Sequence, residues 1–207
     1  MNSPATLSDE LYAQLQGAPM QQLAQQLGSD TAQTQSAVGA ALPLLLGALG
    51  QNAAQPQGAQ DLFGALQRDH NGGADLGSLL GSLLGGGAPA EGGQLDGGAI
   101  LGHVFGQNCD RAEQNLGQAT GLGGSNAAQL LKLLAPIVMA FLAKRMQGSG
   151  MDADSLGATL THERDAARQQ GGVGGDLLGS LLDQDGDGQV GLGDLLKIGG
   201  SLLNGRR

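Results

Sequence analysis

Residues 23–49 read LAQQLGSDTAQTQSAVGAALPLLLGAL, and the reading of this stretch decides the fold. Leu23 and Leu27 stand one helical turn apart and are followed by Gly28, a residue that readily takes the left-handed conformation ending a helix. Ser29 or Asp30 then offers a side-chain oxygen to the first N–H groups of a new helix. Val38, Leu42, Leu45, Leu46 and Leu49 form an apolar stripe at helical period. The pattern predicts a helix over Met20 to Leu27, a glycine turn, and a longer helix carrying that stripe. Pro43 lies inside the stripe. Proline removes one backbone hydrogen bond and crowds the preceding turn, so a kink or a break into two helices is expected there.

Upstream, Ser8-Asp9-Glu10 place a cap and two acids at the start of a helix over residues 9–16. Downstream, GQNAAQPQGAQ (50–60) is polar and reads as a loop, and Asp61 to Leu66 begins another helix. DLGSLLGSLL (75–84) puts Leu76, Leu79, Leu80, Leu83 and Leu84 on one helical face, with Gly and Ser opposite. GGGAPAEGGQLDGG (85–98) has the composition of a flexible linker.

The pattern then returns. A shift of 93 residues aligns 21–65 with 114–158 without a gap: Leu23 meets Leu116, Gly28 meets Gly121, Pro43 meets Pro136 and Asp61 meets Asp154. LPLLLGAL lies over APIVMAFL, so both apolar helices carry a proline that costs a helix interior about 3 kcal/mol. The expected fold class is therefore all-α, a duplicated helical unit with Gly-rich linkers and a C-terminal helix–loop–helix. The expected boundaries are 1–85 for the first unit, 86–98 for the linker, 99–170 for the second unit and 171–207 for the helix–loop–helix.

The chain of 207 residues holds 39 glycines and only four aromatic residues, Tyr12, Phe63, Phe105 and Phe141. Its core must therefore come from Leu, Ala, Val, Ile and Met, in helical modules joined by loose connectors. The net charge is −9, and no Lys or Arg precedes Arg68. Such a surface repels nucleic acid and anionic lipid, both of which are held by cations against phosphate. The single Cys109 excludes an internal disulfide and suits a reducing compartment. The first residues, MNSPATLSDELYAQLQ, lack the basic and apolar regions of a signal peptide. The apolar stretch Ala37 to Gly50 falls short of the roughly 18 residues needed to span a bilayer, so no membrane association is expected. The expected location is the cytoplasm.

The sharpest motif is LLDQDGDGQVGLGDLL (181–196). Numbered as a twelve-position calcium loop, Asp183, Asp185 and Asp187 take positions 1, 3 and 5, and Gly188 takes the sharp turn at 6. Gln189 offers its carbonyl at 7, Val190 is the apolar residue at 8, and Asp194 closes the loop at 12. Asp at 12 reaches less far than Glu, and Gly191 leaves position 9 to water, so any Ca2+ site is weak or structural. The alternative is an Asp/Gly-rich turn that caps a helix and binds nothing. A related stretch, QRDHNGGADLGS (67–78), keeps only Asp69, Asn71 and Gly72 in register and reads as degenerate.

Residues 23–49, GGAILGHVFG (97–106), the APIVMAFLAK helix and LLDQDGDGQV together resemble the YidB-like bacterial proteins, a family of unknown function. The resemblance implies an all-helical fold with a homeodomain-like three-helix element and implies no established activity. That element raises DNA binding or a nucleoid or transcription role as the alternative function. Against it, residues 30–50 offer Gln33 and Gln35 but no cation, and nucleic acid is an improbable partner on charge.

No catalytic constellation emerges. His103 in AILGHVFG reads as a satisfied or partly buried histidine, and His162-Glu163 lacks the second histidine of a zinc-protease helix. THERD (161–165) reads as a solvated surface with i,i+4 ion pairs. The acid beside Cys109 should raise its pKa, which argues against a reactive thiol. No glycine run carries a phosphate-loop signature. The expectation is a non-enzymatic interaction or self-assembly module whose partner is a second copy or another protein. Its contacts would come from the leucine faces at 75–84 and 176–203.

Overall fold

The architecture comes from a computed structural model, which describes residues 6–70 and 97–170 together with Gly174, Leu177 and Gly179. Among the described residues the regular structure is all helical, with no strand. The expected helix over 75–84, most of the linker and the C-terminal loop lie outside them.

Helix α1 (Leu7–Leu15) starts two residues before its expected position. Thr6, not Ser8, is its cap. The Thr6 hydroxyl accepts from the Asp9 N–H, and the Asp9 carboxylate accepts from the Thr6 N–H, each at 3.2 Å, which makes a reciprocal capping box. Leu7, Leu11 and Leu15 recur every fourth residue and are buried on one face. The chain leaves α1 through extended Gln16 and then Gly17, whose φ of 84° is open only to a residue without a side chain.

Helix α2 (Ala18–Leu27) carries Pro19 in its first turn, where the missing N–H breaks no helical bond. It ends at Gly28 in the left-handed conformation (φ 62°), as the sequence predicts. Asp30 caps α3 (Thr31–Ala53), accepting from the Gln33 N–H at 2.8 Å. The expected break at Pro43 does not occur; α3 runs continuously for 23 residues. Burial accounts for it: Leu42, Leu44, Leu45 and Leu46 on both sides of the proline are at most 1% exposed, which offsets the lost hydrogen bond.

The polar stretch 50–60 is not a loop. Its first residues finish α3 and its last ones start α4 (Pro56–His70), leaving Ala54 and Gln55 as the turn. Ala53 and Ala59 bury their methyl groups across this corner. Backbone approach there is close enough that a Cβ on Gly58 would overlap the Asn52 carbonyl. Proline at the first helical position is favourable, so Pro56 opens α4 and is not a loop residue.

After the undescribed segment come α5 (Gly97–Phe105), which takes in the last two residues of the expected linker, and a 3-10 turn at Gly106–Asn108. They are followed by α6 (Cys109–Thr120), α7 (Gly124–Ser149) and α8 (Ala153–Gln170). Under the 93-residue shift α2 and α6 end together at Leu27 and Thr120, and α3 and α7 begin together at Thr31 and Gly124. Gly28 and Gly121 are both left-handed between them. Like α3, α7 continues through its proline, Pro136.

Helices α3 and α7 form the centre, with α8 against α3 and α4, α5 and α6 against α7, and α1 against α3. Buried residues of both halves, from Leu7 to Leu177, belong to one continuous cluster. Both long helices are apolar enough over 18 residues to cross a membrane by length and composition, but 72% of each such window is buried inside the protein. That is the pattern of a core helix as much as of a span.

Two glycines sit at the prolines. Pro136 deprives the Lys132 carbonyl of its helical N–H donor, and α5 begins against that carbonyl at Gly97, where a Cβ would overlap the oxygen. Gly174 lies on the Pro43 ring, and a Cβ there would stand 3.0 Å from the Ala40 carbonyl oxygen.

Candidate functional site at the junction of α1 and α8

The five loop residues proposed for a cation, Asp183, Asp185, Asp187, Gln189 and Asp194, lie outside the described residues, as do Asn71 and Gly72 of the weaker loop. Among the described residues no group of three or more His, Cys, Asp or Glu side chains is placed to hold a metal ion.

The distinctive polar arrangement is instead around Glu163. The charges of THERD predict a solvated surface. Glu163 is in fact buried, 4% exposed, and it is the one charged residue in the core of the described chain. Its two oxygens face the first turn of α1. One accepts from the Leu7 N–H at 3.0 Å; the other accepts from the Ser8 N–H at 2.9 Å and the Ser8 hydroxyl at 2.8 Å. A carboxylate at a helix N-terminus satisfies orphan N–H groups and sits in the favourable end of the helix dipole. Ser8 is thus engaged with Glu163, while Thr6 completes the cap. The signal was present in sequence: Leu156, Leu160, Glu163 and Ala167 share one face at helical spacing, and the three apolar members are buried.

Around this node, Arg145 of α7 pairs with Glu10 of α1. Arg164 pairs with the adjacent Asp165 at 2.8 Å and donates to the Gln51 side chain of α3 at 3.1 Å, in place of the expected i,i+4 pairs. Ser155 donates its N–H to Asp152 at 2.8 Å, capping α8, and hydrogen bonding from the Ser155 side chain first and its N–H second holds that carboxyl below its ordinary range. Among the described residues no buried side-chain nitrogen or oxygen lacks a partner.

The histidines do not converge. His162 is exposed, and so is His103, contrary to the expectation of partial burial. Helix α5 turns Leu101, Val104 and Phe105 inward, which leaves His103 outside. Cys109 is half-buried, and its pKa is pushed up to about 11, first by burial and then by Glu113 one turn on, with Asp110 a smaller contributor. The thiol is held protonated at neutral pH. Of the two glutamines available to a recognition helix, Gln33 spends its amide on the Gly121 carbonyl at 2.7 Å, while Gln35 is exposed. The body of α3 beyond them, from Ala40 to Gly50, is buried except at Pro43.

These features define an all-helical protein built on two proline-bearing core helices and fastened at its edge by a buried carboxylate. The chain belongs to a family of bacterial proteins of unknown function (DUF937, the YidB family), whose family model matches residues 9–145. No curated protein and no solved structure matches it.

Proposed function

We propose that this chain is a non-enzymatic, cytoplasmic interaction module that self-assembles or binds another protein. Its described helices would serve as the scaffold, and the leucine-lined segments 75–84 and 176–203 would supply contacts. The observation behind the reading is the finish of the described surface. No Leu, Ile, Val, Met or Phe of 6–70 and 97–170 is exposed, and the core they build takes in Leu177 as well. We read the leucines of 75–84 and those beyond Leu177 as surplus to that core, and surplus apolar surface is the usual basis of protein contact. Asp183, Asp185, Asp187, Gln189 and Asp194 act in this reading as a weak or structural Ca2+ loop that stiffens the second segment.

We place DNA binding second, because the body of α3 is core and Gln33 is engaged within the chain. Light scattering after size exclusion, at several concentrations and with calcium or a chelator, tests the proposal. Concentration-dependent oligomers that persist or strengthen in high salt are expected; a monomer under all conditions overturns self-assembly. Calorimetric titration with calcium tests the loop, and an affinity unchanged by Asp183→Ala with Asp185→Ala rejects it.

A further inference from the structure

Among the described residues the large apolar side chains are buried or half-buried, so a broad apolar contact through this part of the molecule would come from an element leaving its seat. Helix α1 is built to do so. It packs chiefly on α3 and only slightly on α2, its neighbour in the chain. Its other fastenings come from residues far along the sequence, Arg145 on α7 and Glu163 on α8. On its C-terminal side the connection is Gln16 and Gly17, and glycine at φ 84° swings without side-chain hindrance. Every part of the seat for α1 is therefore present, unchanged, on a second copy of the chain.

We propose that two copies of this chain associate by exchanging α1. The Leu7, Leu11 and Leu15 face of one copy seats on α3 of the other, and its Leu7 and Ser8 N–H groups dock on the other's Glu163. Exchange preserves each contact of the closed monomer, so the dimer loses only the entropy of association and is filled by concentration. Glu163 gives the exchange its selectivity. A buried carboxylate rejects an apolar helix that arrives without N–H groups in the right place, because its own desolvation would go uncompensated. The inference rests on the self-assembly reading above and assigns it a contact.

A complementation experiment on the full chain tests it. Glu163→Ala keeps an intact α1 but has a damaged seat; Leu11→Ala keeps an intact seat but has a damaged α1. The two are refolded from urea at high concentration, separately and mixed in equal amounts, and amide exchange of residues 7–15 is read by mass spectrometry. The two peptides differ in mass at position 11, so each chain reports separately. In the mixture, the peptide that keeps Leu11 is expected to regain protection by roughly tenfold or more over the Glu163→Ala chain alone, within a heterodimer. Glu163→Gln replaces the alanine variant if the latter fails to fold. Oligomers without regained protection overturn the exchange and leave association through 75–84 or 176–203 standing. A monomer at every concentration overturns both.

Discussion

Replacing Glu163 by alanine tests the central packing argument most directly. The substitution leaves three donors without their acceptor: the Leu7 N–H, the Ser8 N–H and the Ser8 hydroxyl. Leu7 is 6% exposed, so water reaches its N–H poorly, and a buried unsatisfied donor costs about 1–3 kcal/mol. Ser8 is half-buried, and its groups recover part of their loss from solvent. Loss of the anion from the helix N-terminus adds about 0.3–1 kcal/mol. Against these, alanine removes the desolvation penalty of a buried carboxylate, several kcal/mol in unpaired form but already largely compensated here by three hydrogen bonds. The balance is a destabilisation of about 2–3 kcal/mol, or about 4–12 °C in Tm for a chain of this size. Urea denaturation with an unchanged m-value measures it, and hydrogen exchange locates it, with the amides of Leu7–Leu15 losing protection first. A Glu163→Ala variant within about 0.5 kcal/mol of the parent, with α1 protected as before, would refute the reasoning.

Other perturbations have signs set by geometry. Cys109 should alkylate far more slowly in the native chain than in urea at pH 8, with the rate climbing as pH approaches 11; equal rates would mean the thiol is not shielded. Because folding raises this pKa above the ordinary 9.0, the folded chain holds the thiol proton more tightly, and its contribution to stability declines as pH rises from about 9 through 11. Gly50→Ala forces a methyl group into the Leu160 carbonyl and should destabilise by about 1–3 kcal/mol, despite the helix preference for alanine. Gly102→Ala meets nothing within 4 Å and should stabilise by up to about 1 kcal/mol, so chemical denaturation of the pair reads opposite signs. Asp30→Ala removes the acceptor for the Gln33 N–H and should cost about 1 kcal/mol in the same assay.

What was legible in the sequence was what the chain decides within a few residues. The stop at Gly28, a cap at Ser29 or Asp30 and the apolar stripe through Leu49 depend on neighbours one or two turns away, and the structure has the stop, the stripe and Asp30 as the cap. Errors arose where a distant partner intervenes. Ser8 looked like a cap because nothing local shows that Glu163, 155 residues later, claims its hydroxyl. THERD looked solvated because charge was weighed above register, although Leu156, Leu160 and Ala167 mark Glu163 as a core position. Stretch 50–60 looked like a loop because its residues are polar, yet Gln and Ala are good helix formers and Pro56 suits a helix start. The candidate cation loop was the clearest motif of all, and it lies beyond the described residues.

The glycine seated at Lys132 gives the proline helices a further meaning. A smooth helix lets its neighbour slide along it by a turn at little cost, because one row of knobs looks much like the next. Pro136 spoils that equivalence by marking one level of α7, and only a residue with no side chain fits against the mark. Slipping α5 by a single turn would bring Leu101 where Gly97 stands, a collision in place of a fit. The helix breaker thus works as a notch that sets the axial position of its neighbour. Gly97 and Pro136 should accordingly be lost or kept together when related chains are compared.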